Sequence, residues 1–152
     1  MSDTTDLLTD AAFVNAFLDV IVPPSDDGRM PGASALGIAE AIADRIGADP
    51  MLGAAVRAGM QAVQDAALAR DPGGFLALDP TARAEVAQSQ APAHPALMLG
   101  VAAHLYQAYY QHPQVIAALG YPARTPFPEG YPLEPTDPAL MESLLRRAKA
   151  AT

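Results

Sequence analysis

The chain has 152 residues, of which 51% are hydrophobic and only 17% are charged, and its net charge at pH 7 is −8. This length suits one domain with a hydrophobic core of its own. The basic residues are scattered singly except for Arg146-Arg147, so they form no patch that would neutralise a row of phosphates. Nucleic acid is therefore not expected as a partner. Because cysteine is absent, disulfides, thiolate metal sites and covalently attached haem are excluded.

The N-terminal residues are acidic and lack the basic region and apolar run of an export signal. No stretch of about 18 uninterrupted apolar residues occurs, so the sequence predicts no membrane span. We therefore expect the protein in the cytoplasm.

Helix signals recur along the whole chain. In an Asp-Pro pair, Asp accepts the free amide groups of the first turn and Pro has no amide to satisfy. Three Asp-Pro pairs fit this pattern, Asp49-Pro50, Asp79-Pro80 and Asp137-Pro138. Together with the helical spacing of apolar residues, they predict helices over about 10–21, 34–46, 50–70, 80–90, 95–111, 113–119 and 138–150.

No segment alternates with the period of two that is typical of a strand. The sequence thus predicts an all-α fold, a compact bundle of about six to seven helices in a single domain, 1–152. Within it we expect residues 1–8 to be a flexible N-terminus and residues 121–136 to be an extended arm.

Residues 86–123 contain no Asp, Glu, Lys or Arg. A helix without charge on any side is normally buried, which favours 95–111 as the central helix. Alternatively, one of its faces is covered by a partner. That face would include Tyr106, Tyr109 and Tyr110, because tyrosine is enriched at interfaces.

The arm that follows is rich in proline and aromatic residues. Five prolines in 121–135 exclude a helix and favour extended backbone. Tyr121, Phe127 and Tyr131 are side chains that a contact could bury, and pre-extended backbone loses little entropy on docking. The arm either packs across the chain's own helices or reaches a partner.

Residues that could carry chemistry are few. His94 and His112 precede prolines at predicted helix starts, where a capping role suffices, and His104 is expected in a core or an interface. No metal-binding, nucleophile or nucleotide motif occurs. We therefore predict no catalytic, cofactor-binding or metal-binding residue in this chain. Asp26-Asp27-Gly28 is interpreted as a turn.

Three blocks in chain order carry a family resemblance. They are Phe17–Asp26 with Pro31-Gly32-Ala33 and the helix 35–46; then Phe75-Leu76-Ala77-Leu78; and last Tyr109–Pro113, Ala118–Arg124 and Phe127–Tyr131. In order and spacing, these blocks resemble the small-subunit family called gluconate 2-dehydrogenase subunit 3.

The resemblance implies a noncatalytic small (gamma) subunit that binds and stabilises or assembles an FAD-dependent oxidoreductase of the glucose-methanol-choline (GMC) type. Such large subunits oxidise a sugar, a sugar acid or another alcohol, and a cytochrome subunit can complete the complex. FAD is expected in the partner and no cofactor in this chain. The candidate partner-binding residues are Tyr106, Tyr109, Tyr110, Tyr121, Arg124, Phe127 and Tyr131.

Many relatives carry a twin-arginine signal that this sequence lacks, so a periplasmic location would require export together with a signal-bearing partner. Two other functions stay open at this point. The chain could be an independent helical module that binds a small apolar ligand in a pocket lined by Met98, Tyr106 and Tyr110. It could also be an enzyme that acts through His104 and a carboxylate.

Overall fold

A computed structural model describes residues 6–121 and 137–150. Within these ranges the protein has seven α-helices and no strand, which confirms the predicted all-α fold. The helices are α1 (Ala11–Ile21), α2 (Ala39–Ala48), α3 (Pro50–Leu68), α4 (Pro80–Gln90), α5 (Pro95–Gln111), α6 (Pro113–Ala118) and α7 (Pro138–Ala150). Two short 3₁₀ helices, Ala33–Leu36 and Phe75–Ala77, lie in the connections.

The three Asp-Pro pairs at predicted helix starts begin helices as predicted. The carboxylate of Asp49 accepts hydrogen bonds from the first-turn amides of α3, and Asp79 and Asp137 do the same for α4 and α7. His112 caps α6 through Nδ1, which accepts from the Gln114 amide at 3.3 Å. His94 precedes α5 without making a side-chain cap.

The helix predicted over 34–46 is wrong in its first turn. Gly37 adopts the left-handed conformation, with φ of 65°, and this ends the 3₁₀ helix before α2 begins. Ser34, the first residue of the predicted helix, donates its hydroxyl hydrogen to Asp19 Oδ2 at 2.5 Å. One predicted helix is therefore two elements joined at a glycine.

Residues nearer the N-terminus than we predicted make contacts with the folded helices. Leu8 is 1% exposed and belongs to the core, and Asp6 accepts a hydrogen bond from Arg57 Nε at 2.9 Å. The flexible segment predicted over 1–8 therefore does not include residues 6–8. Of the predicted arm 121–136, only Tyr121 lies within the described residues.

The centre of the bundle is the antiparallel pair of α3 and α5. A Cβ on Gly59 of α3 would stand 2.7 Å from Leu97 Cβ of α5, so only glycine allows this approach. A Cβ on Gly100 of α5 would stand 2.7 Å from Leu52 Cδ1 of α3, which is the end of a flexible side chain. Helices α1, α2 and α4 pack around this pair and enclose a core that contains Phe13, Phe17, Ile42, Val56, Met60, Phe75 and Leu105.

The described helices are too short or too polar to cross a membrane.

Candidate partner-binding surface

Helix α5 buries one of its two faces. Leu97, Val101, Leu105 and Tyr109 recur every four residues, and each is at most 2% exposed. These four residues form the inner face of α5, which packs against α3 and α2. The uncharged helix is thus central, as one of the two interpretations had it, but it is not buried all round.

The opposite side of α5 is open. Leu99, Ala103, Tyr106 and Tyr110 follow one another at spacings of four, three and four, so they lie along one stripe, the outer face of α5. All four are exposed, Leu99 at 73% and Tyr110 at 55%. Because α5 has no charged residue, a partner could cover this face without removing an ion of this chain from water.

The two outer tyrosines contact each other. The ring centroids of Tyr106 and Tyr110 are 6.2 Å apart. The centroids of Tyr109 and Tyr110 are 5.3 Å apart, and their ring planes meet at 86°. Aromatic pairs at such distances stabilise each other by about 0.5–1.5 kcal/mol beyond area burial. The outer face therefore presents tyrosine rings that are already positioned.

Tyr109 was predicted on the contact surface, and the structure places it in the core. Its ring is 2% exposed, and its hydroxyl donates a hydrogen bond to the carbonyl oxygen of Pro31 at 2.7 Å. Burial raises the pKa of the Tyr109 phenol, and the neighbouring Tyr110 adds a smaller effect in the same direction. Tyr109 therefore supports the outer face from beneath instead of lying on it.

The Pro31 carbonyl that accepts this hydrogen bond belongs to the loop that follows α1. Asp19 of α1 holds the same loop through further hydrogen bonds. Asp19 accepts hydrogen bonds from the amide and the hydroxyl of Ser34, at 2.9 and 2.5 Å. A Cβ on Gly32 would stand 2.9 Å from the Asp19 carboxylate, so glycine is required between them. We call Asp19, Pro31, Gly32, Ser34 and Tyr109 the loop junction; it joins α1, the loop and α5.

Beyond α5, exposed apolar residues occur again just after the end of α6. Gly120 takes a left-handed conformation with φ of 79°, and the Tyr121 amide donates to the Ile116 carbonyl oxygen at 3.1 Å. Leu119 and Tyr121 on either side of the glycine are 46% and 69% exposed. The other predicted contact residues, Arg124, Phe127 and Tyr131, lie outside the described residues.

The residues that could support the other two functions are placed as follows. The side chain of His104 is half-buried and makes no hydrogen bond within the described residues. In that part of the chain, no three His, Asp or Glu side chains are arranged to hold a metal ion. Tyr106 and Tyr110 are exposed, whereas the groove of about 360 Å³ that the structure shows lies between α1 and α2.

Two residues of the outer face, Leu99 and Ala103, were not among the predicted contacts. Their signal is present in the sequence, because counting back from Tyr110 and Tyr106 in helical steps leads to both. The predicted set followed tyrosines by residue type, so it included the buried Tyr109 and omitted the exposed Leu99.

The family described as gluconate 2-dehydrogenase subunit 3 matches residues 9–121. This range covers about three quarters of the chain and contains α1 to α6, the loop junction and the outer face. The chain belongs to this family. No curated protein and no solved structure shows a significant match. As a family member, the chain belongs to a class of dehydrogenase subunits, while α7 lies beyond the matched range.

Proposed function

We propose that this family member is a noncatalytic small subunit that binds and stabilises an FAD-dependent GMC-type oxidoreductase. That flavoprotein would oxidise a sugar, a sugar acid or another alcohol and would carry the FAD. A cytochrome subunit is a further candidate for the complex, and the cytoplasm is the proposed location. The family match is the observation that carries the proposal, because the family is named for a dehydrogenase subunit.

The outer face of α5 is the proposed contact surface with the flavoprotein. Its Leu99, Tyr106 and Tyr110 side chains expose apolar area that gains free energy when it leaves water. Tyrosines at the centre of an interface often contribute more binding energy than their neighbours. The absence of charge on α5 removes the desolvation cost that weakens many polar contacts.

Co-expression of the chain with its flavoprotein subunit tests the function. If the proposal holds, leaving out this chain lowers the yield of soluble, FAD-loaded flavoprotein, because the uncovered partner surface aggregates. The yield, the flavin absorbance and the alcohol-dependent reduction of a dye are measured. Equal yield and activity without the chain would refute the proposed function.

The contact surface has its own test in the same system. The double substitution Tyr106→Ala with Tyr110→Ala should weaken co-purification by about tenfold or more. The matched control is Leu68→Ala with Leu76→Ala, since these side chains are 45% and 42% exposed and lie outside α5. If both double variants bind alike, the surface is wrong while the function stands.

A further inference from the structure

The last helix, α7, has an apolar stripe that remains open. Leu140, Met141, Leu144 and Leu145 lie on one side of the helix, by the helical rise of 100° per residue. Their side chains are between 49% and 58% exposed. An amphipathic helix gains most of its stability from packing such a face against something else.

The polar side of α7 is basic, unlike the rest of the chain. Arg146, Arg147 and Lys149 are three of the nine basic residues, and none makes an ion pair within the described residues. Against the single carboxylate Glu142 they give α7 a net charge of +2. With a total of −8, the remaining residues therefore carry −10. Arg147 borders the apolar stripe on one edge and Lys149 on the other.

A groove of complementary chemistry lies between α1 and α2. It has a volume of about 360 Å³ and a floor that is mainly apolar. At its rim stand Glu40 and Asp44, one helical turn apart, exposed and without an ion pair within the described residues. The floor residues are Leu8, Ala11, Val14, Ala39 and Ala43.

We infer that α7 of one chain docks in the α1–α2 groove of a second copy. The apolar stripe of α7 then covers the groove floor, and Arg147, at the edge of the stripe, faces the rim that carries Glu40 and Asp44. Because the contact is reciprocal, a twofold dimer makes it twice and buries twice the area of one docked helix. The dimer is an interaction beyond the binding of a flavoprotein.

The charge of α7 and the exposure of its stripe indicate that a second copy of the chain supplies the helix that occupies the groove. Within residues 6–121 and 137–150, the stripe and the groove are both open and neither covers the other. A basic amphipathic helix also suits an anionic lipid surface, but the −10 carried by the rest of the chain opposes approach to one. A second copy instead supplies the acidic rim that the helix lacks.

Cysteine cross-linking identifies the contact, because the chain has no cysteine of its own. Full-length chain with Ala43→Cys is mixed under oxidising conditions with full-length chain carrying Leu144→Cys. A disulfide-linked pair of the two chains is expected. The matched control is Ala139→Cys, which lies on the opposite side of α7 and should cross-link about tenfold less. Equal cross-linking of the two positions overturns the inference.

The charge contact has a test that does not depend on cysteine. Light scattering after size exclusion should show a dimer whose dissociation constant rises about tenfold in Arg147→Glu and stays unchanged in Arg29→Glu. The Arg29 side chain is exposed and lies outside both surfaces. Adding Asp44→Arg to Arg147→Glu brings the net charge back to that of the parent chain and should restore the dimer.

Three results would overturn the inference. One is a chain that stays monomeric at every concentration measured. Another is a dimer that Arg147→Glu and Arg29→Glu weaken equally. The third comes from a chain that carries Ala43→Cys and Leu144→Cys together: an internal disulfide without a linked dimer would place α7 in its own groove. None of these results depends on the flavoprotein, so the proposed function is tested separately.

Discussion

The inner and outer faces of α5 are built from the same kinds of residue and have opposite surroundings. Leucine and tyrosine occur on both, and neither contains a charge. Leu105 is fully buried on the inner face, whereas Leu99 is 73% exposed on the outer face. Composition therefore does not determine which side of an uncharged helix enters the core.

The two faces of α5 differ in how closely residues of other elements pack against them. On the inner face, Leu97 lies against Gly59, where a Cβ would collide, and Tyr109 donates its hydroxyl hydrogen to the Pro31 carbonyl. The tyrosines of the outer face make ring contacts with each other, and Tyr110 also meets the ring of Tyr109. The inner face is thus part of the hydrophobic core, and the outer face is available for a partner.

The largest contrast is expected from truncating one leucine on each face. Leu105→Ala removes buried methyl groups and leaves a cavity, so it should lower the free energy of unfolding by about 2–5 kcal/mol. Leu99→Ala should change it by less than about 0.5 kcal/mol. Urea denaturation followed by circular dichroism measures both. Equal losses would mean that the outer face is also packed.

A smaller contrast is expected from the two glycines between α3 and α5. Gly59→Ala brings a methyl group to 2.7 Å from Leu97 Cβ, which cannot rotate away, and should cost about 1–3 kcal/mol despite the better helix propensity of alanine. Gly100→Ala meets Leu52 Cδ1 at the same distance, but this atom ends a side chain that can change rotamer.

Gly100→Ala should therefore change the free energy of unfolding little. The measurement is the difference between the urea unfolding midpoints of Gly59→Ala and Gly100→Ala. If Gly100→Ala is as destabilising as Gly59→Ala, the close approach of the helices extends along the whole of α5. If neither variant loses stability, α3 and α5 are not packed as closely as Gly59 requires.

Much of this fold follows from local rules that the sequence displays. The Asp-Pro caps predicted three helix starts because the cap and the first turn are neighbours in the chain. The break at Gly37 was missed, since a glycine within a helical pattern predicts a left-handed turn only if the surrounding packing demands it. The segment before this break is held by Asp19, which binds Ser34 from fifteen residues away and so leaves no local pattern.

The candidate surface could be predicted only in part for the same reason. The charge-free tract identified α5 as unusual and predicted that it is central or has one face covered by a partner. Which stripe is buried depends on Pro31, which lies 78 residues before Tyr109 and contacts it only in the folded chain. A contact of that separation leaves no local pattern, so tyrosine type alone misplaced Tyr109.

The smallest expected effect concerns the hydrogen bond that ties the inner face to the loop junction. Tyr109→Phe keeps the ring and removes the donor to the Pro31 carbonyl, so it should cost about 1 kcal/mol of unfolding free energy. Tyr110→Phe is the matched control, because its hydroxyl makes no hydrogen bond within the described residues and the ring is 55% exposed. The control should stay within about 0.5 kcal/mol of the parent chain.

Tyr109 also makes the free energy of unfolding depend on pH. Burial raises the pKa of Tyr109 above its usual value of 10.0, so the unfolded chain loses this proton at lower pH than the folded chain does. The resulting stability is present below pH about 10 and is lost as the pH rises through the folded-state pKa. Urea titrations of the parent chain should thus show lower stability above pH about 10, and Tyr109→Phe should lose less of it on the same titration. If the parent and Tyr109→Phe decline in parallel, the phenol is not held neutral against Pro31, and the inner face is less closed to water than its burial indicates.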